Sequence, residues 1–462
     1  MNSFVIILLG GISIVLLVYM IIKKMDIKIS LLTIGILLMY VALLLGKKVT
    51  TLEPTGASWL NPIQALVDQF TTTLAGPGFV ILILAGYSAY MSKIGANAVT
   101  VNALTKPLKH VKSVYILVPI VFLIGNILSL VVPSASNLAI ILLATLYPVL
   151  RATGMSRLSA GAVIATSATI VPTPLGSDNV AMAAALHLPV TEYVFKYHAL
   201  ISIPTLIFIA VVHYFWQKRQ DKKTALIVTE KEEIQEIPED IHQNDSFGYR
   251  VIYGLLPVMP IILLIVAFFV NLSLKTPIQL TVQIVSIISL FIAIVTELIY
   301  KQNVNQVLKD TNGFFNGMGG AMGIVGLLVA AQTFVAGLAS LGIMEMVQKS
   351  MASVHGSGLL LPIIMVAFTA VIVLLSGSGV ALVFAMVPLV VPLTQAAGIQ
   401  PEALSVPLQL AGNLFRAVSP VAAVILIVAG TTKLEPMQIV KRTSVPMVAG
   451  VVFMLVLSLI VL

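Results

Sequence analysis

Two ionisable side chains, Asp178 and Arg416, stand inside stretches of sequence that otherwise carry almost no charge. Each belongs to a segment interrupted by proline and small polar residues. One reads Pro172-Thr173-Pro174-Leu175-Gly176-Ser177-Asp178-Asn179, the other Arg416-Ala417-Val418-Ser419-Pro420. Two further stretches, 114–150 and 357–396, have no charged residue and break at Val-Pro-Ser-Ala-Ser-Asn (132–137) and Ser-Gly-Ser-Gly (376–379). Proline removes a backbone donor and disrupts the helical ladder. New short helices are therefore expected near Asn137, Asn179, Val380 and Val421. Each helix N-terminus carries about half a positive charge, so four converging ends present about +2, the complement of a small dianion. The C-termini that stop at the same breaks suit a cation. This is chemistry for holding an ion, not for breaking a bond.

The two charges each admit more than one role. An arginine at the centre of a membrane helix costs about 2.5–3.5 kcal/mol on insertion scales, so it needs a partner or a watery cavity. Arg416 can grip a carboxylate through two parallel hydrogen bonds, or it can form a structural salt bridge to Asp178. Asp178 can cap the half-helix that follows it, or it can carry a coupling proton. Catalysis is not expected. The chain has no cysteine, no nucleophile elbow and no His/Asp/Glu group at metal-ligand spacing, so neither a metal nor a cofactor is expected. A coupling cation, proton or sodium, is the one addition the site allows. His187, His198 and His213 read as ordinary core or interface histidines.

The elements that must position these residues follow from composition. The chain is 59% hydrophobic and 10% charged, with a mean hydropathy of +1.06. Soluble domains need roughly a quarter charged residues to cover their cores, so the outer solvent here is lipid. The net charge of +8 belongs to loop lysines and arginines rather than to a nucleic-acid surface. A span needs about 20 mostly apolar residues. Candidates are 3–22, 29–45, 76–92, 197–217, 250–271, 278–300, 318–337 and 443–462, with two interrupted spans at 157–188 and 402–432. The first apolar stretch reads as a retained span, since it lacks the basic lead and cleavage site of a signal peptide. Placing both termini outside puts 20 of the 26 basic residues in cytoplasmic segments, five outside, and Arg416 within the membrane. That asymmetry is the positive-inside pattern. Residues 218–249 are charged and read as a solvated cytoplasmic linker.

The halves echo each other. Gly95 pairs with Gly342 at an offset of 247, Ser134-Ala135-Ser136 with Ser376-Gly377-Ser378 at 242, Gly154 with Gly398 at 244, and Lys196 with Lys441 at 245. Five spans per half is an odd number, which turns the second half upside down relative to the first, as in many secondary transporters. The expected fold is an all-α polytopic membrane protein of two inverted repeats, with about ten spanning helices plus two re-entrant hairpins. The first repeat covers 1–217, with scaffold spans in 1–92, hairpin 114–150 and interrupted helix 157–188. The second covers 250–462, with scaffold spans in 250–337, hairpin 357–396 and interrupted helix 402–432. Hydropathy alone also permits each hairpin to be two full spans joined by a tight turn.

The segments GYSAYMSKIGAN (86–97), LATLYPV (143–149), NLFRAVSPVAAVILIVAG (413–430) and VKRTSVPMV (440–448) resemble the DcuC-type anaerobic C4-dicarboxylate carriers. The similarity runs over nearly the whole chain. It implies exchange or efflux of succinate, fumarate, malate or aspartate across a bacterial inner membrane. It also implies a homodimer in which a transport domain slides past a dimerising scaffold. Carried over by position, the first tip supplies Ser134, Ala135, Ser136 and Asn137 to the substrate, and the second Gly377, Ser378 and Gly379. The first interrupted helix supplies Pro172, Thr173, Gly176 and Asp178, and the second Asn413, Arg416, Ser419 and Pro420. The chain departs from the family pattern where Ser136-Asn137 replace a Thr-Gly pair and Val380 replaces an Asn. Rival readings are a carrier of another small carboxylate or an amino acid on the same fold, and a passive anion channel.

Overall fold

A computed structural model describes residues 3–462 apart from 24, 54, 107, 109–110, 112, 131, 133, 225–246, 272–277, 279, 344 and 347–356. Among the described residues every regular element is helical, and nine helical stretches are long and apolar enough to cross a membrane.

The first half opens with α1 (Ser3–Ile22) and α2 (Ile27–Leu44). Asp26 starts α2 by accepting the Lys28 and Ile29 amides at 2.9 and 3.4 Å, two of the donors that a helix start leaves unpaired. Next come α3 (Asn61–Thr73), a π-turn at Leu74–Gly78 and α4 (Phe79–Lys93), which together form one element, Ser58–Lys93. Then follow α5 (Ala96–Thr105), α6 (Val114–Leu128), α7 (Ala135–Thr145), α8 (Tyr147–Ala152), α9 (Arg157–Ala165) and α10 (Ser177–Ala185). Helix α11 (Val190–Glu192) continues through a π-turn, Tyr193–His198, into α12 (Ala199–Thr224).

The second half follows. It runs α13 (Phe247–Leu255) and α14 (Met259–Asn271), α15 (Val282–Lys301), α16 (Val304–Asp310) and α17 (Asn312–Ser340), then the hairpin arms α18 (Ser357–Ser376) and α19 (Gly379–Ala397). It ends with α20 (Pro401–Arg416), α21 (Ala423–Thr432) and α22 (Pro436–Val461). Glu435 and Gln438 close a reciprocal capping box at the start of α22.

Three expectations change. The span expected at 76–92 begins at Ser58, because α3 is too polar to register in a hydropathy window and Gly76, at φ −100 and ψ −115, breaks the element that joins it to α4. The span expected at 318–337 likewise extends to Val304–Ser340. The linker expected at 218–249 starts later, since α12 continues to Thr224, and residues 225–246 lie outside those described. Asp221, within that expected linker, is not solvated. It is 7% exposed and pairs with Arg442 at 2.8 Å, with the Ser156 and Ser159 hydroxyls donating to it at 2.9 and 2.8 Å. This network ties the start of α9 to the end of α12 and the start of α22.

One long helix organises the scaffold. Helix α17 packs along α2 and α4, and the approach to α4 is backbone-close at Gly317. A Cβ there would stand 2.6 Å from the Ala85 carbonyl oxygen, so only glycine permits the contact.

Candidate functional site

The first break spans 166–176, between α9 and α10. Its freed backbone groups are satisfied from two sides. Asn126, 2% exposed near the end of α6, accepts the amides of Thr169 and Ile170, both at 3.1 Å, on its Oδ1. Its Nδ2 donates to the Phe122 and Thr166 carbonyls at 2.8 and 3.4 Å. From the other end, Asn179 Nδ2 donates to the carbonyls of Val171 and Thr173 at 3.0 and 2.8 Å. Hydrocarbon tolerates non-helical backbone only when its polar groups are met in this way. Replacing Asn126 with Leu strands two buried amides and is expected to destabilise the protein by about 2–4 kcal/mol. Thermal unfolding in detergent checks this, and an unchanged midpoint contradicts it.

The second break spans 417–422, between α20 and α21. Thr443 Oγ1 donates to the Ala417 carbonyl at 2.6 Å, and Ser419 Oγ donates to the Leu374 carbonyl at 2.9 Å. The second bond ties the break to the end of the hairpin arm α18. The tip itself lies against the break: a Cβ on Gly377 would stand 2.8 Å from Val421 and Ala422 backbone atoms, and one on Gly379 would collide with the Gly412 carbonyl. Gly377 also has φ +74, a conformation that L side chains avoid. Gly379→Ala is therefore expected to lift the tip off α20 and destabilise the protein by about 1–3 kcal/mol, the cost of overpacking. Thermal unfolding in detergent is the check, and an unchanged midpoint contradicts it.

The two breaks meet. Asn413 Nδ2 donates to Asp178 Oδ2 at 3.0 Å, and Arg416 Nη2 donates to the Ala168 carbonyl of the opposite break at 2.6 Å. One turn back, Gln409 Nε2 donates to Asn179 Oδ1 at 2.6 Å. The Tyr193 hydroxyl donates to Gln409 Oε1 at 3.0 Å and stands 3.3 Å from the Ser405 hydroxyl. Ser405, Gln409 and Asn413 lie four residues apart, so one face of α20 is laced to α10 and to Tyr193 of the π-turn. The hairpins exchange partners between halves: arm α7 packs on α21, and arm α19 packs on α10. The N-caps of α10, α19 and α21, which are Gly176, Ser378 and Ala422, make no side-chain capping bond. Their first amides are thus left for another acceptor, the arrangement that binds anions at helix starts.

Both charged residues differ from part of what the sequence allowed. Arg416 forms no ion pair with Asp178; its Nε is buried without a hydrogen-bond partner. The geometric reason is that Asn413, one turn earlier on α20, takes the carboxylate instead. Asp178 is not the cap of α10 either. Gly176 holds that position, and Asp178 lies inside the first turn, accepting the Asn179 amide at 3.0 Å.

The remaining predicted residues sort by neighbourhood. Thr173 is 1% exposed and turns its hydroxyl to the Leu175 amide at 3.2 Å, so it shapes the break from within. Gly176, Gly377, Gly379, Asn413 and Ser419 gather around the two breaks, and Ser378 is exposed at the second tip. Ser134 caps α7 by accepting the Asn137 amide at 3.4 Å, leaving Ser136 half-buried and Asn137 exposed. That first tip joins the others through the packing of α7 on α21. Sequence reasoning missed Asn126, Gln409, Tyr193 and Thr443. The Ser405-Gln409-Asn413 spacing was a visible signal, whereas a lone Asn126 in an apolar arm was not.

A cleft of about 630 Å³ opens elsewhere, where α2 and α17 end. It contains Lys47 and Lys48, but also Asp68 and Glu345. The Lys47 ammonium is already engaged by the Leu341 carbonyl at 2.5 Å. With its charges balanced, the cleft has no net attraction for a dianion.

Comparison with known proteins agrees with this architecture. The family model described as C4-dicarboxylate anaerobic carrier, DcuC, matches residues 2–462. The anaerobic C4-dicarboxylate transporter DcuC of Escherichia coli K12 is 32% identical over 459 residues, covering 99% of this chain and 96% of the relative. A probable anaerobic C4-dicarboxylate transporter DcuC of Vibrio cholerae is 35% identical over 430 residues, 92% of this chain and 91% of that one. Among solved structures, the YdaH transporter of Alcanivorax borkumensis superposes with a TM-score of 0.68 at 17% identity, covering 94% of this chain and 97% of its own. MtrF of Neisseria gonorrhoeae does so at 0.59 and 16%, covering 94% and 95%. These two likenesses concern the fold.

Proposed function

The chain belongs to the C4-dicarboxylate anaerobic carrier family, DcuC, and from that premise we propose that it carries C4-dicarboxylates across the membrane by holding them between its two broken helices. It is a multi-pass membrane transporter, not an enzyme. The observation that carries the binding site is Arg416. Its guanidinium reaches from α20 to the opposite break and, among the described residues, has no carboxylate partner and keeps a buried Nε unused. One carboxylate of succinate, fumarate, malate or aspartate takes that side. The other takes the uncapped amides of Gly379 and Ser177, with Ser134, Ser136, Asn137, Thr173, Asn413 and Ser419 around them.

The matching order of elements in the two halves supports the inverted repeat. The hairpin arms α18 and α19, at 20 and 19 residues, are each about 30 Å long, so length alone does not make them re-entrant. Their tip stops against the second break, with the ten residues of α21, about 15 Å, still to come. This favours a hairpin that ends inside the membrane. The scaffold of α2, α4 and α17, locked through Gly317, is the fixed part past which the hairpins and broken helices move, as an elevator, in a homodimer. The membrane is the bacterial inner membrane, with both termini outside, and the working mode is exchange or efflux.

Counterflow of labelled succinate into proteoliposomes tests the reading. Unlabelled fumarate, malate and aspartate are expected to compete strongly, and citrate and monocarboxylates weakly. Preferential competition by a monocarboxylate or tricarboxylate contradicts the substrate class, and flux without counterflow contradicts a carrier.

A further inference from the structure

His198 takes no part in the cup as described, yet its π-turn packs against both α10 and α20. It is 1% exposed, closes the π-turn Tyr193–His198, and its Nδ1 makes no hydrogen bond. Four residues on, on the same helix face, the Ser202 hydroxyl is fully buried and also unpartnered. A buried polar atom left without a partner costs about 1–3 kcal/mol, and two together call for a functional explanation. Single π-turns inside α-helices recur at functional positions.

The surroundings connect this ring to the cup. At the other end of the π-turn, Tyr193 has its ring 6.4 Å from that of His198. Through Gln409 and Asn179, its hydroxyl continues a hydrogen-bonded series that ends on Asp178. Two helices packed on the π-turn carry charge: α10 has Asp178 in its first turn, and α20 has Glu402 and Arg416 at its opposite ends. On its own element, Glu192 and Lys196 pair with each other at the surface at 3.1 Å. Helix α6 carries no charge, and Arg442 of α22 is paired with Asp221 near the far end of α12.

We propose that His198 is the proton-carrying residue of the transport cycle, taking a proton onto its free Nδ1 when the dicarboxylate fills the cup and releasing it when the dicarboxylate leaves. The proposal rests on the carrier reading above. Histidine is the side chain whose ordinary titration lies near neutral pH. A buried imidazolium needs negative charge close by, and two substrate carboxylates beside Asp178 supply it only in the loaded state. Coupling of this kind is reciprocal: the proton tightens the dianion as much as the dianion favours the proton. Proton and dicarboxylate therefore move in the same direction.

The test is proton uptake by the purified full chain in weakly buffered detergent solution near neutral pH, read with a pH dye as succinate is added. Wild type is expected to take up about one proton per succinate bound. His198→Gln, which keeps the size and polarity of the ring, is expected to lose most of that uptake and to need more succinate to saturate counterflow at equal pH on both sides. Undiminished proton uptake by His198→Gln overturns the proposal. So does wild type that shows counterflow but no proton uptake. Wild type without counterflow overturns the carrier reading, and the proposal with it. If His198→Gln does not fold, wild type labelled with 15N-histidine decides: the Nδ1 resonance of one histidine moves to the imidazolium position on adding succinate, and resonances that stay in place overturn the assignment.

Discussion

Arg416→Gln abolishes high-affinity transport while leaving a folded protein. Each charge-assisted hydrogen bond to a carboxylate contributes about 1.5–3 kcal/mol, and the guanidinium offers two in parallel. Losing both lowers affinity by several hundredfold, since each 1.4 kcal/mol is a factor of ten. The fold is expected to survive because, among the described residues, the Arg416 side chain is hydrogen-bonded to the Ala168 carbonyl alone. Lysine restores the charge but not the fork, so Arg416→Lys stays at least about tenfold weaker than wild type. The rise in unfolding temperature that succinate gives wild type disappears in Arg416→Gln, and so does uptake. A variant that binds succinate normally places the anion elsewhere.

Asp221→Ala has the largest expected effect on stability. Its carboxylate stands 2.8 Å from Arg442, with the two side chains 7% and 5% exposed, and it gathers the Ser156 and Ser159 hydroxyls at the start of α9. Gln217 Oε1, 3.3 Å from Arg442 Nη1, is a neutral acceptor and does not balance the charge. Breaking a buried pair on one side costs about 3–5 kcal/mol, whereas replacing both members with apolar residues of similar volume costs little or nothing. Asp221→Leu combined with Arg442→Met is therefore expected to recover most of the loss. Thermal unfolding of the two proteins decides. Equal destabilisation of the single and double variants shows that the charges matter less than the hydroxyl network around them.

The sequence was most legible where covalent chemistry forces the backbone. Pro172, Pro174 and Pro420 cannot continue a helix ladder, and Gly377 tolerates a positive φ, so the breaks stood out without any knowledge of packing. The helix starts fell within two residues of their expected places, at Ala135, Ser177, Gly379 and Ala423. What remained hidden depends on partners distant in sequence. Asp221 looked like a linker charge because Arg442, its partner, lies 221 residues away. A salt bridge between Asp178 and Arg416 was plausible from charge alone, but Asn413 reaches the carboxylate first. Helix α3, with Gln64, Asp68 and three threonines, has too little apolar character to register as part of a span. His198 passed as a core histidine because its lack of a partner can be seen only in three dimensions.

The central claim is that the dianion lies where the two breaks meet. The most direct measurement is a density map of the purified protein in lipid nanodiscs with saturating succinate. One carboxylate is expected against the Arg416 guanidinium and the other at the Gly379 and Ser177 amides. Succinate in the cleft beside Lys47 and Lys48, or anywhere out of reach of Arg416, contradicts it.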